Sequence, residues 1–393
     1  MLKIGFDAKR AAQNRTGLGN YSRFVLRILS EGFPQHEYHL YIPKEKRMPY
    51  LREIPTWRSL ILHFPRSKGW RRLSSIWRIG PVTKDVRHDG IQLFHGLSNE
   101  LPLSIRRAHC KSIVTIHDLI FIHYPQYYHA IDRWIYNYKF RKACRIADRV
   151  IAVSEYTKRE IMHYYGTPEE KIRVVYQGCD QAFRRTIPSE TLQRVRQHYQ
   201  LPERYLLYVG SIEERKNVML AVKALREIRN QGGIDGCQPP LIIVGRRTDY
   251  TAAVERYVQA EGMAEQVRFF HKVPYEDLPS IYRLAHLFVY PSRIEGFGIP
   301  VLEALNSAIP VIACTGSCLE EAGGPHSVYV HPDDVQAMVQ SIRRIWTDAH
   351  LRQVMIREGI RYADEHFSEE RLRNDLMQVY QEVLEVRAVN ERL

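Results

Sequence analysis

Several features that define other protein classes are missing from this chain of 393 residues. No stretch approaches the roughly 18 consecutive apolar residues that a membrane-spanning helix needs. The first residues, Met1–Asp7, enter a strand pattern directly, so we expect no secretory leader. The six cysteines are scattered and form no CxxC pair. This usage predicts reduced thiols in a cytosolic protein, not a disulfide framework or a zinc site.

Charge is present in excess but is unevenly placed. The net charge is +13, with 31 Lys and Arg against 16 Asp and Glu in residues 1–180, and 26 against 28 in residues 181–393. The basic character therefore belongs to the first half alone. Such a surface suits nucleic acid, an anionic membrane or a phosphorylated ligand, and composition does not choose among them.

The hydrophobic pattern alternates between short apolar runs and longer segments of helical period. Near-continuous apolar strands separated by helices indicate parallel sheets covered on both faces. The predicted strands are Lys3–Asp7, Tyr38–Ile42, Leu93–His95, Ser112–Ile116, Arg149–Val153 and Arg173–Val175, then Tyr205–Val209, Leu241–Val244, Val267–Phe270, Leu287–Tyr290, Val311–Ala313 and Ser327–Val330.

These strands predict an α/β protein with two Rossmann-like domains. The turn around Asp180–Ser189 marks the boundary, which gives an N-terminal domain over residues 1–183 and a C-terminal domain over 184–368. The tail over 369–393 is helical by period and has no further strand, so we expect it to pack back toward the first domain. Ligands of open parallel sheets bind at the carboxyl ends of the strands, so the segments that follow strands are the ones to inspect.

The first such segment is Thr16–Ser22, with Gly17, Leu18 and Gly19 before a helix predicted over Tyr21–Leu29. Two glycines let the backbone approach a phosphate at a helix N-terminus, although a flexible turn would have the same composition. A dinucleotide-binding turn fits less well because Ser22 replaces the third glycine and no acidic residue follows the second strand.

The second segment leaves the first strand of the second domain and contains Gly210, Ser211, Arg215 and Lys216. Two cations at a helix start can hold a diphosphate, since the positive end of the helix faces the same anion. The alternative is a solvated basic helix start paired with its own neighbouring glutamates.

The third segment runs from Tyr290 to Leu305 and carries Glu295, Gly296, Phe297, Gly298 and, about two turns further on, Glu303. Pro300 suits the first turn of a helix, and the glycines allow a ligand to approach the backbone. Ionised carboxylates accept paired hydrogen bonds from a sugar or a ribose diol. A fourth segment places His117 at the end of a central strand, in the position that His95 has in the preceding one.

Taken together, these segments resemble glycosyltransferase family 4, the retaining enzymes of the GT-B fold, in which two facing Rossmann-like domains enclose a cleft. The resemblance is densest in Glu295–Glu303, which is similar to the family's E-x7-E motif, and in Leu278–Ser292, which leads into it. Thr16–Tyr21, the His117-Asp-Leu sequence and the segment from Gly210 to Asn217 are similar to bacterial mannosyltransferase-like members of surface-polysaccharide pathways.

The resemblance implies a role for each matching residue. Glu295 would hydrogen-bond the donor sugar, Glu303 the nucleotide ribose, and Lys216 the diphosphate. The backbone of Gly17, Leu18 and Gly19 would contact the same diphosphate from the other domain, and His117 would line the sugar site near the reacting carbon. Many members have Arg directly after the strand-ending glycine. Ser211 stands there in this chain, and Arg215 is expected to replace that arginine.

The expected reaction is transfer of a hexose, with mannose favoured, from a nucleotide sugar to a glycan or a lipid-linked acceptor. GDP-mannose is the favoured donor and a UDP-sugar the next. Fixed cations can stabilise the charge that develops on the leaving diphosphate, so no metal is required, and no DxD-like motif is present. No opposed carboxylate pair is evident, which favours attack by the acceptor on the face that the diphosphate leaves.

The basic first half suggests where this chemistry takes place. Lys44–Arg78 holds ten Lys and Arg, two acidic residues and the tryptophans Trp57, Trp70 and Trp77. Tryptophan and arginine favour the membrane–water interface, so we expect peripheral binding to an anionic membrane from the cytoplasmic side. A soluble basic loop would have the same sequence.

Three other classes of protein remain as alternatives. A basic nucleic-acid-binding protein would explain the charge but not the glycines and glutamates behind strands, so we expect no nucleic-acid partner. A sugar-nucleotide epimerase or a phosphorylase could share the fold, and no lysine-anchored cofactor motif supports the phosphorylase. An NAD-dependent oxidoreductase is disfavoured by the missing third glycine.

Overall fold

A computed structural model describes residues 1–45 and 48–390 and contains two separate parallel β-sheets, each with helices on its faces. The fold class predicted from the sequence, α/β with two Rossmann-like domains, is confirmed. Each neighbouring pair of strands in both sheets runs parallel, as expected when a helix or loop crosses over between strands.

The first sheet has seven strands in the order β3-β2-β1-β4-β5-β6-β7. The chain leaves β1 toward one edge and then returns to fill the other half of the sheet. The carboxyl ends of β1 and β4 are therefore adjacent where the direction reverses, and ligands of this fold class bind at such a point. The strands are β1 Lys3–Asp7, β2 Glu37–Tyr41, β3 Ile61–His63, β4 Leu93–Gly96, β5 Lys111–Ile116, β6 Arg149–Ala152 and β7 Ile172–Val174.

The second sheet has six strands in the order β10-β9-β8-β11-β12-β13, and its reversal lies between β8 and β11. These two neighbouring strands lead into the loops of the second and third motif segments. The strands are β8 Leu206–Val209, β9 Leu241–Val244, β10 Val267–Phe270, β11 Leu287–Tyr290, β12 Val311–Cys314 and β13 Val328–Val330.

Helices cover both faces of each sheet. None of the helices within the described ranges is long and apolar enough to cross a bilayer. Around the first sheet they are α1 Lys9–Gln13, α2 Gly17–Gly32, α3 Lys68–Arg72, α4 Ser74–Ile79, α5 Val82–His88, α6 Ile120–His123, α7 Ala130–Ile146 and α8 Glu155–Tyr165. From residue 189 onward they are α9 Ser189–His198, α10 Val218–Asn230, α11 Thr251–Ala260, α12 Leu278–Leu284, α13 Ile299–Asn306, α14 Leu319–Gly323, α15 Val335–Thr347, α16 Ala349–Phe367 and α17 Glu369–Asn390.

The predicted strands agree with the observed ones to within one residue at each end, because buried parallel strands are almost wholly apolar. The strand that sequence reasoning missed is Ile61–His63. It has three residues, lies at the edge of the first sheet and is buried on neither face, so its sequence lacks the continuous apolar signal.

The chain divides into two compact units. The first contains Met1–Gly178 together with Ser368–Leu393, of which residues 391–393 lie outside the described part, and the second contains Cys179–Phe367. Helix α17 belongs to the first unit because Leu372, Leu376 and Tyr380 join the same buried cluster as Leu26 of α2. The sequence-based prediction had placed the boundaries after residues 183 and 368.

Candidate active site

The candidate site of the second unit is built on the loops that follow β8 and β11. These strands are hydrogen-bonded neighbours, so their carboxyl ends release both loops side by side. The loops are tied together directly: the Arg293 backbone N–H donates to the Arg215 carbonyl at 2.9 Å. Adjacent strands thus join two segments that are about 80 residues apart in the sequence.

Lys216 and Glu295 form an ion pair at the centre of this region. The Lys216 Nζ lies 2.5 Å from Glu295 Oε1 and donates to the Tyr290 hydroxyl at 2.6 Å. The same carboxylate oxygen accepts from the Tyr290 hydroxyl at 3.0 Å and from Ser292 Oγ at 2.7 Å. Both charged side chains are nearly buried. An ammonium has three protons, so this geometry leaves Lys216 one N–H for a further acceptor.

Arg215 holds the other side of the same carboxylate. Its guanidinium lies 3.7 Å from Glu295 Oε2 and 3.0 Å from Glu213 Oε2. Ser211 is linked to this group through its hydroxyl, which donates to Glu213 Oε1 at 2.6 Å. The structure therefore brings Ser211, Arg215, Lys216 and Glu295 into one charged cluster, and Oε2 has the looser environment of the two Glu295 oxygens.

The electrostatics keep Glu295 ionised. Burial by itself would raise the pKa of this carboxyl, but the ammonium of Lys216 and the guanidinium of Arg215 outweigh it and hold the pKa below its usual value. Burial raises the pKa of the Tyr290 phenol well above normal, and the charge of Glu295 adds to this effect. The cluster is thus a fixed carboxylate between two cations. The carboxylate is suited to orient a hydroxyl, and the two cations are suited to bind an anion.

Gly296, Phe297 and Gly298 lead from this cluster into α13. Gly298 caps the helix at φ +109°, and a Cβ there would come within 2.7 Å of Leu319 Cδ2, so only glycine fits the turn. The Phe297 side chain is buried and packs edge-on against Phe367 at 5.3 Å between ring centroids. Of the predicted binding residues in this turn, Phe297 can therefore offer a ligand its backbone only.

Glu303 lies on α13 in a different environment. The Tyr282 hydroxyl donates to its Oε2 at 2.8 Å. Burial raises the pKa of Glu303 to about 7, with the Tyr282 hydrogen bond opposing the rise and the charge of Asp180 adding to it. Glu303 therefore carries its charge only in part at neutral pH, in contrast to Glu295. No hydrogen bond or ion pair between Glu303 and Lys216 or Arg215 occurs within the described residues.

In the first unit, Gly17, Leu18 and Gly19 form the first turn of α2, where the sequence had predicted a loop before Tyr21. The Thr16 carbonyl accepts from the Gly19 N–H at 2.8 Å, whereas the Thr16 hydroxyl donates to Asn14 and does not cap the helix. A Cβ on Gly19 would lie 1.9 Å from the Asn14 carbonyl oxygen, so this close approach requires glycine. A helix N-terminus without a side-chain cap favours an anion.

His117 follows β5 and is almost fully buried. Its Nε2 faces the Leu97 carbonyl at 2.9 Å, and its Nδ1 meets the Gln177 amide nitrogen at 3.1 Å. Burial lowers the pKa of His117 to about 4. A carbonyl only accepts, so Nε2 carries the proton and Nδ1 accepts from Gln177. Because both ring nitrogens are engaged, His117 is neutral and fixed, and it is not a proton donor or acceptor in this arrangement.

Sequence reasoning missed the residues that hold these groups in place. Tyr290 and Ser292 bind the Glu295 carboxylate, Tyr282 binds Glu303, and Gln177 fixes the tautomer of His117. A signal existed for the first two, because Tyr290-Pro-Ser292 directly precedes the glutamate loop. Tyr282 and Gln177 come from distant elements and had no local signal. No group of three or more metal-binding side chains occurs within residues 1–45 and 48–390.

The basic segment Lys44–Arg78 separates into buried and exposed parts, and Lys46 and Arg47 lie outside the described residues. Trp77 is 1% exposed and donates its indole N–H to Asp85 at 2.7 Å. Arg78 is ion-paired with Asp7 at 2.7 Å and with Glu100 at 3.0 Å. These two residues belong to the interior, which corrects their assignment to a membrane-facing surface.

Comparison with known proteins now gives the chain a family. Residues 22–183 match the family model described as Glycosyltransferase Family 4, and residues 190–362 match the one described as Glycosyl transferases group 1. The chain is 30% identical over 273 residues to the O-antigen chain mannosyltransferase B of Escherichia coli, which is 69% of each protein. It is 29% identical to the O-antigen chain mannosyltransferase RfbU of Salmonella typhimurium over 59% of this chain and 60% of that relative.

Solved structures of low sequence identity share the whole fold. HepE from Anabaena, crystallised with UDP and glucose, matches with a TM-score of 0.75 at 16% identity over 97% of this chain and all of that one. A sucrose-phosphate synthase from Thermosynechococcus elongatus matches with a TM-score of 0.75 at 20% identity over 98% of this chain and all of that one. The two-sheet architecture is thus that of the GT-B glycosyltransferases, and the chain belongs to glycosyltransferase family 4.

Proposed function

We propose that the chain transfers a mannosyl residue from GDP-mannose, with retention of configuration, to a glycan or a lipid-linked acceptor of a surface polysaccharide. The second unit binds the donor and the first binds the acceptor. The observation that carries the proposal is the buried cluster of Lys216, Arg215 and Glu295 at the carboxyl ends of β8 and β11. Mannose is supported by the two O-antigen mannosyltransferases to which the chain is similar.

The donor fits the chemistry of this cluster. The remaining N–H of Lys216 and the guanidinium of Arg215 bind the diphosphate, while Glu295 Oε2 accepts from a hydroxyl of the sugar. Glu303 accepts from the ribose diol when it is ionised. The uncapped N-terminus of α2 at Gly17, Leu18 and Gly19 offers backbone N–H groups that suit a phosphate.

Bond breaking at the anomeric carbon places negative charge on the departing diphosphate. Lys216 and Arg215 are already oriented by Glu295, so they stabilise this charge without reorganising. The acceptor hydroxyl attacks on the face that the diphosphate leaves, and a diphosphate oxygen takes its proton. His117 takes no proton, because both of its ring nitrogens are engaged.

This route makes no covalent bond between sugar and protein. Mass spectrometry of the protein after incubation with donor should therefore detect no glycosylated side chain, also for a slow variant such as Glu295→Gln. A sugar trapped on any side chain would overturn same-face attack and favour double displacement.

The donor is tested by a thermal-shift panel of GDP, UDP and ADP with their sugar derivatives, since a ligand that binds the native state raises the melting temperature. GDP and GDP-mannose should give the largest rise, and Lys216→Met should remove most of it. A larger rise with UDP would show that the donor base is uracil and not guanine. Glu295→Ala should abolish transfer and leave nucleotide-induced stabilisation largely intact, whereas retained turnover would refute the role of Glu295.

Incubation of the protein with the preferred donor and no acceptor separates transfer from epimerisation. A glycosyltransferase should return the donor sugar with its configuration unchanged. A change of configuration at a sugar carbon would identify an epimerase of the same fold.

The enzyme works as a peripheral protein on an anionic cytoplasmic membrane surface. The exposed part of Lys44–Arg78 supports this membrane association. Trp70 of α3, Ile76 of α4 and Leu73 between the two helices are exposed beside Lys68 and Arg72. Apolar side chains flanked by cations suit the membrane interface. Lys68→Gln with Arg72→Gln should weaken sedimentation with phosphatidylglycerol vesicles at low salt. Unchanged sedimentation would refute the role of this segment.

A further inference from the structure

Helix α7 carries an outward face that neither the donor site nor the Lys44–Arg78 segment uses. Its inner face is anchored in the core of the first unit by Phe140, Ala143 and Ile146. Its exposed residues recur at spacings of three and four, which places them on one stripe along the helix. The stripe consists of Ile131, Trp134, Tyr138, Arg141 and Arg145.

The N-terminal half of the stripe is apolar and solvent-exposed. Ile131 is 73% exposed, Trp134 71% and Tyr138 51%. The rings of Trp134 and Tyr138 stack at 6.1 Å with 13° between their planes, so they form a rigid ledge. Burying a helix on its inner side requires no apolar residues on the outer side. An exposed apolar cluster of this kind marks an interaction surface.

The C-terminal half of the stripe borders a cationic cavity of about 680 Å³ between α7, the end of α8 and the start of β7. Four cationic residues line it, and no acidic residue is among the described residues that do so. Two nearby carboxylates have cationic partners outside the cavity: Asp148 is bound by Lys111, and Glu169 by Lys158. The cationic lining residues are Arg141, Lys142, Arg145 and Lys171.

Two of these four cations are held in place by the fold. Arg141 donates to the Tyr164 carbonyl at 3.1 Å and stacks on the Tyr165 ring, and Lys171 donates to the Arg145 carbonyl at 3.0 Å. Lys142 and Arg145 have no carboxylate within 4 Å across the described residues. The cavity thus has two cations that the fold holds in place and two that lack an acidic partner. This combination suits an anionic ligand.

We propose that α7 docks on an anionic lipid bilayer, with the phosphate of a lipid head group in the cavity at Arg141, Lys142, Arg145 and Lys171, and with Ile131, Trp134 and Tyr138 in the interfacial layer. This inference rests on the proposed membrane association and adds a second contact to it. A soluble phosphate would leave the apolar ledge without a role, and aliphatic Ile131 gives nothing to a stacked nucleobase.

The position of α7 agrees with contact to the same bilayer as α3 and α4. Lys139 of α7 pairs with Glu100 at 3.3 Å, and Glu100 also pairs with Arg78 at the end of α4. Trp77 of α4 and Phe140 of α7 share one buried cluster, so both helices cover the same face of the first sheet. One membrane plane can therefore reach exposed residues of both.

The test is flotation of the full chain with vesicles of phosphatidylcholine alone or of equal parts phosphatidylcholine and phosphatidylglycerol. Lys142→Gln with Arg145→Gln should reduce the partition coefficient for the anionic vesicles by roughly 30-fold, which is about fivefold for each cation. The matched control is Lys223→Gln with Arg344→Gln, one lysine and one arginine on exposed helix positions of the second unit, which should leave binding unchanged.

A separate pair of substitutions tests the apolar ledge. Ile131→Ser with Trp134→Ser should weaken anionic-vesicle binding also at high salt, where the contribution of the cations is screened. Equal binding of the wild type and Lys142→Gln/Arg145→Gln would overturn the proposal. Binding of inorganic phosphate to the cavity in the absence of vesicles would also overturn it. Preferential binding of the chain to a single-stranded oligonucleotide, or self-association that depends on Trp134, would do the same.

Donor-induced stabilisation measured on the same variants keeps this inference separate from the proposed function. If the α7 variants lose vesicle binding but keep the rise in melting temperature that the nucleotide causes, the α7 contact is supported. Intact vesicle binding without any nucleotide shift would leave α7 in place and remove the enzyme proposal. A wild type that binds neither kind of vesicle would remove both membrane contacts and leave the donor site untouched.

Discussion

Replacing Lys216 by methionine tests the cluster at its centre. The substitution keeps the length of the side chain and removes the ammonium that lies 2.5 Å from Glu295. Loss of one partner from a buried ion pair costs about 3–5 kcal/mol, because the other charge stays buried. Tyr290, Ser292 and Arg215 still contact the carboxylate, so we expect the lower end of this range, about 3 kcal/mol in the free energy of unfolding.

The pH dependence of this penalty follows from the pKa of Glu295. In the wild type the folded-state pKa lies below the unfolded value, so the carboxylate stabilises the protein above the unfolded pKa and this stabilisation is lost as the pH falls through the folded pKa. In Lys216→Met the opposing effect of burial gains weight, which raises the folded-state pKa. The penalty should therefore be largest near neutral pH and shrink as the pH falls below the folded-state pKa of Glu295 in the wild type, where the carboxyl is protonated in both proteins.

Urea unfolding followed by circular dichroism, at neutral and at acidic pH, measures both effects. Lys158→Met is the control, because the same substitution there breaks a 2.9 Å pair with an exposed carboxylate, Glu169, and should cost less than about 1 kcal/mol. Adding Glu295→Gln to Lys216→Met should recover part of the loss. Equal penalties at positions 216 and 158, or a penalty at 216 that does not change with pH, would refute the reasoning.

Three further predictions concern single contacts. Nucleotide affinity measured by calorimetry should fall between about pH 8 and about pH 6, because Glu303 with its pKa of about 7 loses its charge there; Tyr282→Phe, which removes a hydrogen bond that favours the ionised form, should move the midpoint upward, and a flat profile would exclude Glu303. Gly19→Ala should lower the melting temperature strongly, since its Cβ meets the Asn14 carbonyl at 1.9 Å, whereas Gly17→Ala has open space and should not; equal melting temperatures would contradict the turn geometry. Tyr380→Phe removes the hydroxyl 2.6 Å from the buried His95 Nδ1 and should cost about 1–3 kcal/mol in urea unfolding, and a cost near zero would show that His95 does not need this partner.

The strands and the chemistry-bearing loops were predictable because their signals are local. Buried parallel strands such as Leu241–Val244 are wholly apolar, and Pro300 behind the glycine turn marks the start of α13. The edge strand Ile61–His63 was not predicted, because a strand that is partly exposed has no continuous apolar run. The first turn of α2 was read as a loop, since glycines at Gly17 and Gly19 have low helix propensity and tertiary contacts override it.

The sequence by itself determined that two parallel sheets form and that a family-typical glutamate loop follows β11, because periodicity and turn residues act over a few neighbouring positions. Only the tertiary structure decided that Lys216 meets Glu295, that His117 is neutral with both nitrogens engaged, and that Trp77 is interior while Trp134 is exposed. Charge state and burial depend on groups brought together from distant segments, and a linear pattern does not contain those distances.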